Sequence, residues 1–336
     1  MDKRVPTVLF ISSYSVAFVL RDIEILKKHF NLLVANFVGI KKTFYDTVVT
    51  IITIWKKLRK SDLSFIWFAD LRALITIVLS KLLQKPTILV VGGYEVANVP
   101  EIYYGGALRR FSRKKISFII RHADVVLSVS RASQHELQKN FSIYSSQLVY
   151  NGIEIDKFII DAPLDKEDIA ITVGRVTESN LLRKGIEPFV RAAAFLPKVS
   201  FYVIGKYDND AYEQLKNITS DNVTFTGFIA EKELIEFYQR AKVYVQVSAH
   251  EGFGISLAEA MLAECIPVVT DRGALPEVVG DSGYTVDFND PCQTARAIES
   301  AMHSTNGYTA RKHIIENFSM KRRENALQRI INSLCR

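Results

Sequence analysis

Cysteine is scarce in this chain, and its three cysteines are widely separated. Cys265, Cys292 and Cys335 form no close pair and no metal-ligand spacing. This pattern excludes a disulfide framework or a zinc site and favours a reducing compartment, so we expect a cytoplasmic protein. No stretch reaches the ~18 uninterrupted apolar residues of a membrane-spanning helix. Low-complexity segments and short-period repeats are also missing.

The length and composition are those of an ordinary globular protein with more than one domain. A chain of 336 residues is long for one core and suits two domains. The N-terminal run Val5–Leu20, preceded by Lys3 and Arg4, resembles a signal peptide. We interpret it instead as the first strand and the start of the first helix, because its removal would delete the first βα unit.

Basic residues are concentrated in the first half of the chain. Residues 1–150 carry a net charge of +12 and residues 151–336 carry −5. Two clusters, at residues 56–60 and 109–115, have aromatic or aliphatic neighbours such as Trp55 and Phe118. Either cluster alone is typical of a solvated helix face, but the two together make an anionic membrane surface or an anionic acceptor an equal alternative. Nucleic acid is the other usual partner of such patches, but no recognition motif supports it.

Short apolar runs alternate with helical patterns in both halves of the chain. The runs predict strands that include Thr87–Val91 and Ser200–Ile204, and the patterns predict helices that include Ala107–His122. Such alternation predicts an α/β fold with two Rossmann-like doubly wound domains, each a parallel sheet covered on both faces. We expect an N-terminal domain at residues 1–160, a C-terminal domain at 161–318 and a final helical segment at 319–336. Residues 151 to about 168, which begin with the turn signal Asn151-Gly152 and include the polar stretch around Asp161–Pro163, are the predicted linker. Two such domains predict a ligand site at the carboxyl ends of their strands, in the cleft that the domains face.

The segment from His250 to Ala260 is the most informative in the chain. It places Glu251 and Glu259 around a glycine-flanked turn between a predicted strand and a predicted helix. Glycines allow backbone N–H groups to approach a ligand closely, and a helix N-terminus favours phosphate. Carboxylates accept hydrogen bonds from sugar hydroxyls. A second interpretation is a capping box, in which Ser256 caps the helix and Glu259 satisfies a backbone N–H.

Three further segments end strands on the same predicted sheet edge. Gly174-Arg175 is followed by Lys184 at a helix start, and a guanidinium or ammonium in such places suits a diphosphate. The other two segments are Gly205-Lys206 and Asp271-Arg272-Gly273. A lone Arg or Lys is usually a surface charge, so the argument depends on the ordered set.

This order of residues resembles the retaining glycosyltransferases of family 4, which have the GT-B fold. The matching elements are Gly-Arg, Lys-Gly and a Glu-x7-Glu pair in the second domain. Supporting segments are Ala123–Ser130, Asn151–Phe158 and Thr226–Phe228, so that the resemblance covers most of residues 123–290.

The resemblance implies an enzyme that moves a hexose-type sugar from a UDP- or GDP-sugar to a glycan or lipid-linked acceptor. It implies no metal and no other cofactor, and a C-terminal helix that crosses back to the first domain. Arg175 and Lys184 would bind the diphosphate, Glu251 the sugar and Glu259 the ribose. Further donor contacts would come from backbone at Gly174, Gly205, Gly252, Phe253, Gly254 and Ile255.

The first domain departs from the family pattern in two places. Ser12-Ser13 replaces the usual Gly-Gly turn after the first strand. After the strand Thr87–Val91, where many members have a histidine, the sequence is Gly92-Gly93-Tyr94-Glu95. These six residues are candidates for the acceptor side of the site, and the roles of Tyr94 and Glu95 stay open.

Other functions remain possible on the same fold. A nucleotide-sugar epimerase would release an altered sugar nucleotide without an acceptor, and a phosphorylase would need a lysine that binds pyridoxal phosphate. A basic nucleic-acid- or membrane-binding protein with a degenerate enzyme fold is the alternative of another class. An inactive carbohydrate-binding scaffold is disfavoured by the complete set of Arg175, Lys184, Glu251 and Glu259.

Overall fold

The computed structural model describes residues 4–37, 44–160 and 164–335. It divides the chain into two compact units, which we call the N-terminal unit (Met1–Gly152 with Lys321–Arg336) and the C-terminal unit (Ile153–Met320). The division therefore falls at Gly152, earlier than the predicted boundary at residue 160. Within the predicted linker at residues 151 to about 168, residues 161–163 lie outside the described residues.

The N-terminal unit is built on a six-stranded parallel sheet with the order β2-β1-β3-β4-β5-β6. Its strands are β1 (Thr7–Ser12), β2 (Asn31–Asn36), β3 (Leu63–Trp67), β4 (Thr87–Val91), β5 (Val125–Ser128) and β6 (Gln147–Leu148). Its helices are α1 (Ala17–His29), α2 (Phe44–Leu58), α3 (Leu71–Leu82), α4 (Arg110–His122) and α5 (Arg131–Phe141). The chain reverses direction across the sheet between β1 and β3, which makes that pair the switch point of the topology.

The C-terminal unit repeats the design with the order β12-β11-β10-β7-β8-β9. Its strands are β7 (Glu167–Val173), β8 (Ser200–Ile204), β9 (Val223–Gly227), β10 (Ala241–Gln246), β11 (Ile266–Thr270) and β12 (Tyr284–Val286). Its helices are α6 (Glu178–Arg183), α7 (Ile186–Ala192), α8 (Asn209–Lys216), α9 (Glu231–Arg240), α10 (Ile255–Leu262), α11 (Leu275–Val279), α12 (Pro291–Met302) and α13 (Gly307–Phe318). The switch point here lies between β7 and β10.

The sheets form because their central strands are apolar on both faces. Every residue of β3, β4 and β11 is buried, as parallel strands covered by helices require. Each sheet has its own hydrophobic core against the surrounding helices. The predicted α/β class with two doubly wound parallel sheets is confirmed.

The last helix, α14 (Met320–Leu334), follows the C-terminal unit in sequence but packs within the N-terminal unit. Arg323 on this helix is 3% exposed, and its guanidinium meets both carboxylate oxygens of Asp22 on α1 at 2.6 and 2.7 Å. The same guanidinium donates to the carbonyls of Val149 and Tyr150 and lies over the ring of Trp67. These contacts fix α14 against the N-terminal sheet.

Two helices differ from the sequence prediction. The helix α6 was not predicted, because it is short and buries only Leu181, so the sequence shows no apolar period there. The helix α4 was predicted from Ala107 but begins at Arg110. Ala107 instead donates its N–H to the carbonyl of Ala97 in a loop that Gly105 and Gly106 pack tightly against the chain after β4.

Candidate active site

The segment His250–Ala260 leaves the carboxyl end of β10, at the switch point of the C-terminal sheet. Gly254 is the N-cap of α10 with φ +99°, a left-handed conformation that favours glycine. No side chain caps this helix. The capping-box interpretation is therefore wrong, because Ser256 lies inside the helix instead of at its N-cap.

Lys184 and Glu251 form the central charged pair of this site. The Lys184 ammonium donates to Glu251 Oε1, and the two side chains are only 23% and 12% exposed. Burial alone would raise the pKa of Glu251, but Lys184, with Arg183 beside it, holds that pKa below its usual value. Ser248 donates to the same carboxylate oxygen at 3.3 Å. Glu251 is thus an ionised and oriented hydrogen-bond acceptor at neutral pH.

Tight backbone packing brings these two residues together. Gly185, with φ +68°, is the N-cap of α7, and a Cβ there would lie 2.2 Å from the Val247 carbonyl oxygen. Gly273, with φ +58°, packs in the same way against the backbone of Glu251. Neither position can hold a larger residue without a shift of the chain. The pair is therefore positioned by the loops that follow β7, β10 and β11.

Arg175 lies at the carboxyl end of β7 and has a different partner. Its guanidinium donates to Asp208 Oδ1 at 2.9 Å, and the two side chains are 64% and 51% exposed. Gly174 and Gly205 pack together beside it, since a Cβ on Gly205 would lie 2.3 Å from the Gly174 carbonyl oxygen. The side-chain atom nearest to a Cβ on Gly174 would be Lys184 Cγ at 3.9 Å, so Gly174 lies next to the central pair.

The other predicted donor residues surround the start of α10. Gly252 and Ile255 are half-buried, whereas the Phe253 side chain is 3% exposed and packs edge-on against Phe318. Glu259 lies half-buried on the same helix. Its charge contributes to raising the pKa of the buried Tyr238 and Tyr244, for which burial is the main cause. All ten predicted donor-side residues thus belong to the C-terminal unit and follow neighbouring strand ends.

The six predicted acceptor-side residues meet at the carboxyl edge of the N-terminal sheet. Ser12 Oγ accepts the Tyr14 N–H, and Ser13 donates to Asp70 Oδ2. Gly92 N–H donates to Glu95 Oε1 at 3.3 Å, so that this amide already has a partner. Gly93 has φ +119° and shapes the turn, and Tyr94 is 55% exposed against Tyr104.

Glu95 is the least expected member of this group. It is 5% exposed, and burial raises its pKa to about 7. Oε1 accepts from the amides of Gly92 and Ala69, whereas Oε2 is buried without a hydrogen-bond partner. Its neighbour Asp70 adds to the rise. This carboxyl group therefore exchanges a proton near neutral pH.

Sequence reasoning missed Asp70, Tyr14 and Asp208. Asp70 follows the end of β3 and accepts the N–H groups of Arg72 and Ala73 as the N-cap of α3. An aspartate directly after a strand and before an apolar helix was the available signal. Asp208 was hidden in the polar loop after β8, where nothing marks it as the partner of Arg175.

No metal site is evident in the part of the chain that the structure describes. Asp208 and Asp210 have an Asp-x-Asp spacing, but no three His, Cys, Asp or Glu residues there lie close enough together to hold an ion. Among the same residues, no helix has the length and apolar character needed to cross a membrane.

Residues 154–319 match the model of the family described as glycosyl transferases group 1. The lipopolysaccharide core biosynthesis mannosyltransferase LpcC of Rhizobium leguminosarum bv. viciae is 27% identical in an alignment that covers 70% of this chain and 71% of LpcC. The O-antigen chain mannosyltransferase B of Escherichia coli is 25% identical over 54% of this chain, and the match covers about half (52%) of that relative.

The fold has close counterparts among solved structures. Anabaena Alr3699/HepE, crystallised in complex with UDP and glucose, superposes with a TM-score of 0.81 over 98% of this chain and 100% of its own, at 16% identity. The sucrose-phosphate synthase of Thermosynechococcus elongatus gives a TM-score of 0.80 over 98% of this chain and 99% of its own, at 18% identity. Residues 154–319 are therefore similar to the group 1 glycosyl transferases, and the protein is a glycosyltransferase with the GT-B fold.

Proposed function

We propose that the C-terminal unit binds a nucleotide-diphosphate hexose and that the enzyme transfers its sugar with retention of anomeric configuration, as in family 4. The observation on which this rests is the buried Lys184–Glu251 pair beside the start of α10, which no side chain caps. A cation, a carboxylate and helix N–H groups that no side chain caps together match the diphosphate and hydroxyl groups of such a donor.

During bond cleavage, the cations and the carboxylates of this site would contact different parts of the donor. Negative charge grows on the departing diphosphate as the anomeric C–O bond breaks, and fixed cations stabilise it. Lys184 is already held in place, whereas Arg175 is exposed and must leave Asp208 to reach a phosphate. Glu251 would accept a hydroxyl of the transferred sugar, and Glu259 the ribose hydroxyls. No side chain is assigned as the base, because the departing phosphate can take the acceptor proton.

The names of the relatives narrow the choice of donor nucleotide and sugar. Several are mannosyltransferases, and one from Xanthomonas campestris is named for GDP-mannose, whereas Anabaena HepE was crystallised with UDP and glucose. We propose a UDP- or GDP-hexose as the donor, with no required metal or other cofactor. An epimerase is the nearest rival and would turn over the donor without any acceptor.

A donor screen followed by variants tests this proposal. UDP or GDP and the corresponding nucleotide sugars should raise the melting temperature of the protein, and the rise should be larger for the ligands that bind more tightly. Lys184→Ala or Arg175→Ala should then lower kcat about a hundredfold, which corresponds to ~3 kcal/mol of lost transition-state stabilisation. The matched control is Lys198→Ala on the exposed surface of the same unit. Unchanged turnover in both site variants would remove the phosphate assignment.

Retention of the anomeric configuration can be tested separately from donor binding. NMR of the freshly formed product should show the anomeric configuration of the donor. An inverted product would contradict the retaining assignment while leaving the donor site intact.

We also propose that the enzyme works on the cytoplasmic face of a membrane, on a glycan or lipid-linked acceptor. Helix α2 exposes Tyr45, Val48 and Ile52 at helical spacing, and the exposed basic Lys56 and Lys60 follow. Helix α4 adds Phe111, which is 88% exposed, within the cluster at 109–115. Exposed apolar side chains next to lysines and arginines match the interface of an anionic bilayer better than nucleic acid.

Flotation with liposomes distinguishes a membrane partner from a nucleic-acid partner. The protein should float with liposomes that contain anionic lipid at low salt, and Lys56→Glu/Lys60→Glu should abolish flotation. Lys198→Glu/Lys232→Glu changes the net charge equally on the exposed surface of the C-terminal unit and should float normally. Failure of the wild type to float, or salt-dependent binding to any DNA duplex, would contradict the membrane assignment.

A further inference from the structure

Two polar residues are buried on one face of β10, near the strand end from which the segment His250–Ala260 leaves. Tyr244 is 0% exposed and Gln246 is 4% exposed, and the Tyr244 hydroxyl donates to Gln246 Oε1 at 3.3 Å. The opposite face of the strand carries Val243 and Val245, which belong to the apolar core of the C-terminal unit. Burial of a hydroxyl and an amide costs free energy that an apolar pair would not, so such residues are expected where a site needs them.

The Tyr244 hydroxyl group also links two segments that carry predicted donor residues. Burial raises the pKa of Tyr244 well above its usual value, and hydrogen bonds with Ser256 and with the backbone of Val173 partly offset that rise. Ser256 lies in the first turn of α10. Val173 ends β7, and Tyr244 pairs in the sheet with Ile171, two residues before it. One buried side chain therefore connects the start of α10 to the strand end that Arg175 follows.

The contact with Ser256 bears on the orientation of Glu259. These two residues are three positions apart on α10 and therefore lie on the same face of the helix. After burial, the charges of Glu251 and Glu259 add to the raised pKa of Tyr244, so both carboxylates lie near its hydroxyl group. The N-cap of α10 is Gly254, which has no side chain that could fix the first turn. The hydrogen bond at Ser256 provides that constraint from below the helix.

We propose that Tyr244 is a positioning residue for the nucleoside of the donor, because its hydroxyl group holds the first turn of α10, and with it Glu259, in the orientation that receives the ribose hydroxyls. Since Tyr244 is fully buried, it acts through Glu259 and not by contact with the donor. An acceptor group that is held in place loses less conformational entropy on binding. This inference rests on the proposed function, in which Glu259 binds the ribose, and it adds a residue that makes that contact effective.

Isothermal titration calorimetry on the full chain tests this role, with UDP, GDP and their 2′,3′-dideoxy analogues as probes. Tyr244→Phe keeps the ring and removes only the hydroxyl group. It should weaken the binding of the preferred nucleoside diphosphate about three- to tenfold, the effect of about one hydrogen bond. The dideoxy analogue lacks the ribose hydroxyls, so Tyr244→Phe and the wild type should bind it equally. Tyr284→Phe, which also removes a hydroxyl that donates at 3.3 Å, is the matched control and should bind as the wild type does.

Two further variants separate positioning from a loss of structure. Ser256→Ala removes the partner of the Tyr244 hydroxyl at a half-buried position, and it should reproduce the ribose-dependent loss even if Tyr244→Phe folds poorly. In a Glu259→Gln background, Tyr244→Phe should have little additional effect, because both changes remove the same contact.

The proposal is overturned if Tyr244→Phe and Ser256→Ala bind the nucleoside diphosphate as the wild type does, or if they weaken the dideoxy analogue equally. It is also overturned if the effects of Tyr244→Phe and Glu259→Gln add in full. Absence of UDP and GDP binding in the wild type would instead contradict the proposed function.

Discussion

Asp22 and Arg323 form a buried two-point ion pair although 301 residues separate them in the chain. Both carboxylate oxygens meet the guanidinium, and Trp67 Nε1 donates to Asp22 Oδ2 at 2.9 Å. A buried ion pair is stabilising only when all its hydrogen bonds are made, and these are complete. The pair holds the last helix of the chain in the first unit.

We predict that Arg323→Leu destabilises the N-terminal unit by about 3–5 kcal/mol, because it leaves the Asp22 carboxylate buried without its partner. Both tryptophans, Trp55 and Trp67, lie in this unit, so denaturant unfolding followed by tryptophan fluorescence reports on it alone. Lys321→Ala, on the same helix but exposed, is the control and should change little. A loss below about 1 kcal/mol in Arg323→Leu would show that the pair is dispensable.

Gly174 and Gly205 provide a matched pair of substitutions in the donor site. Gly205→Ala should destabilise the C-terminal unit, because φ is +141° and the new Cβ would lie 2.3 Å from the Gly174 carbonyl oxygen. Gly174→Ala should fold normally, since its Cβ would meet nothing closer than 3.9 Å. Thermal unfolding of both variants checks this contrast. Equal melting temperatures would mean that the loop after β8 relaxes freely.

The raised pKa of Glu95 predicts a specific pH dependence of stability. Between about pH 4.5 and 7 the folded protein retains a proton that the unfolded chain releases, so the free energy of unfolding falls as pH rises through this window. A shift of this size corresponds to about 3 kcal/mol. Glu95→Gln cannot titrate and should therefore gain stability relative to wild type as pH rises from 5 to 8.

Urea unfolding of wild type and Glu95→Gln at several pH values isolates this effect from other titrating groups. The charged and titratable neighbours Asp70, Tyr14, Tyr94 and Arg72 are unchanged in the variant. If the stability difference stays constant with pH, Glu95 is ionised throughout and its carboxyl group is better solvated than its burial implies.

Asp208 competes with a phosphate for Arg175 in our proposal. Asp208→Asn should therefore tighten the binding of UDP or GDP several-fold, because it frees the guanidinium and removes a negative charge next to the diphosphate. Both side chains are more than half exposed, so the effect should shrink at high salt. Isothermal titration calorimetry measures it, with Asp210→Asn as the neighbouring control. Weaker binding in Asp208→Asn would indicate that the ion pair positions Arg175 for the donor.

Much of the fold was predictable because its signals are local. The strands at Thr87–Val91 and Ser200–Ile204 were predicted with their observed bounds, since each is a short apolar run between turn residues. The helix α6 escaped prediction because it buries a single leucine, and the same holds for any element whose stability comes from neighbours distant in sequence.

In the candidate site, the sequence predicted only those residues whose chemical type and position next to a strand or helix both indicate a role. Arg175, Lys184 and Glu251 could be singled out because each lies in a short segment that follows a strand or precedes a helix. Two other features could not be predicted from the sequence. Asp208 contacts Arg175 across a loop, and Glu95 is buried where it accepts backbone amides that follow two different strands. Residue type and spacing predict which groups reach a sheet edge, whereas burial and pairing depend on tertiary packing.

The placement of α14 has a consequence for how the chain matures on the ribosome. Residues up to Gly152 emerge first, but the arginine that neutralises Asp22 is translated about 170 residues later, or roughly 10–30 s at ordinary elongation rates. During that interval the nascent N-terminal unit contains the Asp22 carboxylate without its ion-pair partner Arg323. The N-terminal unit therefore cannot reach its final stability until α14 has been translated, and a ribosome that stalls within the C-terminal unit would leave the N-terminal unit open to proteases.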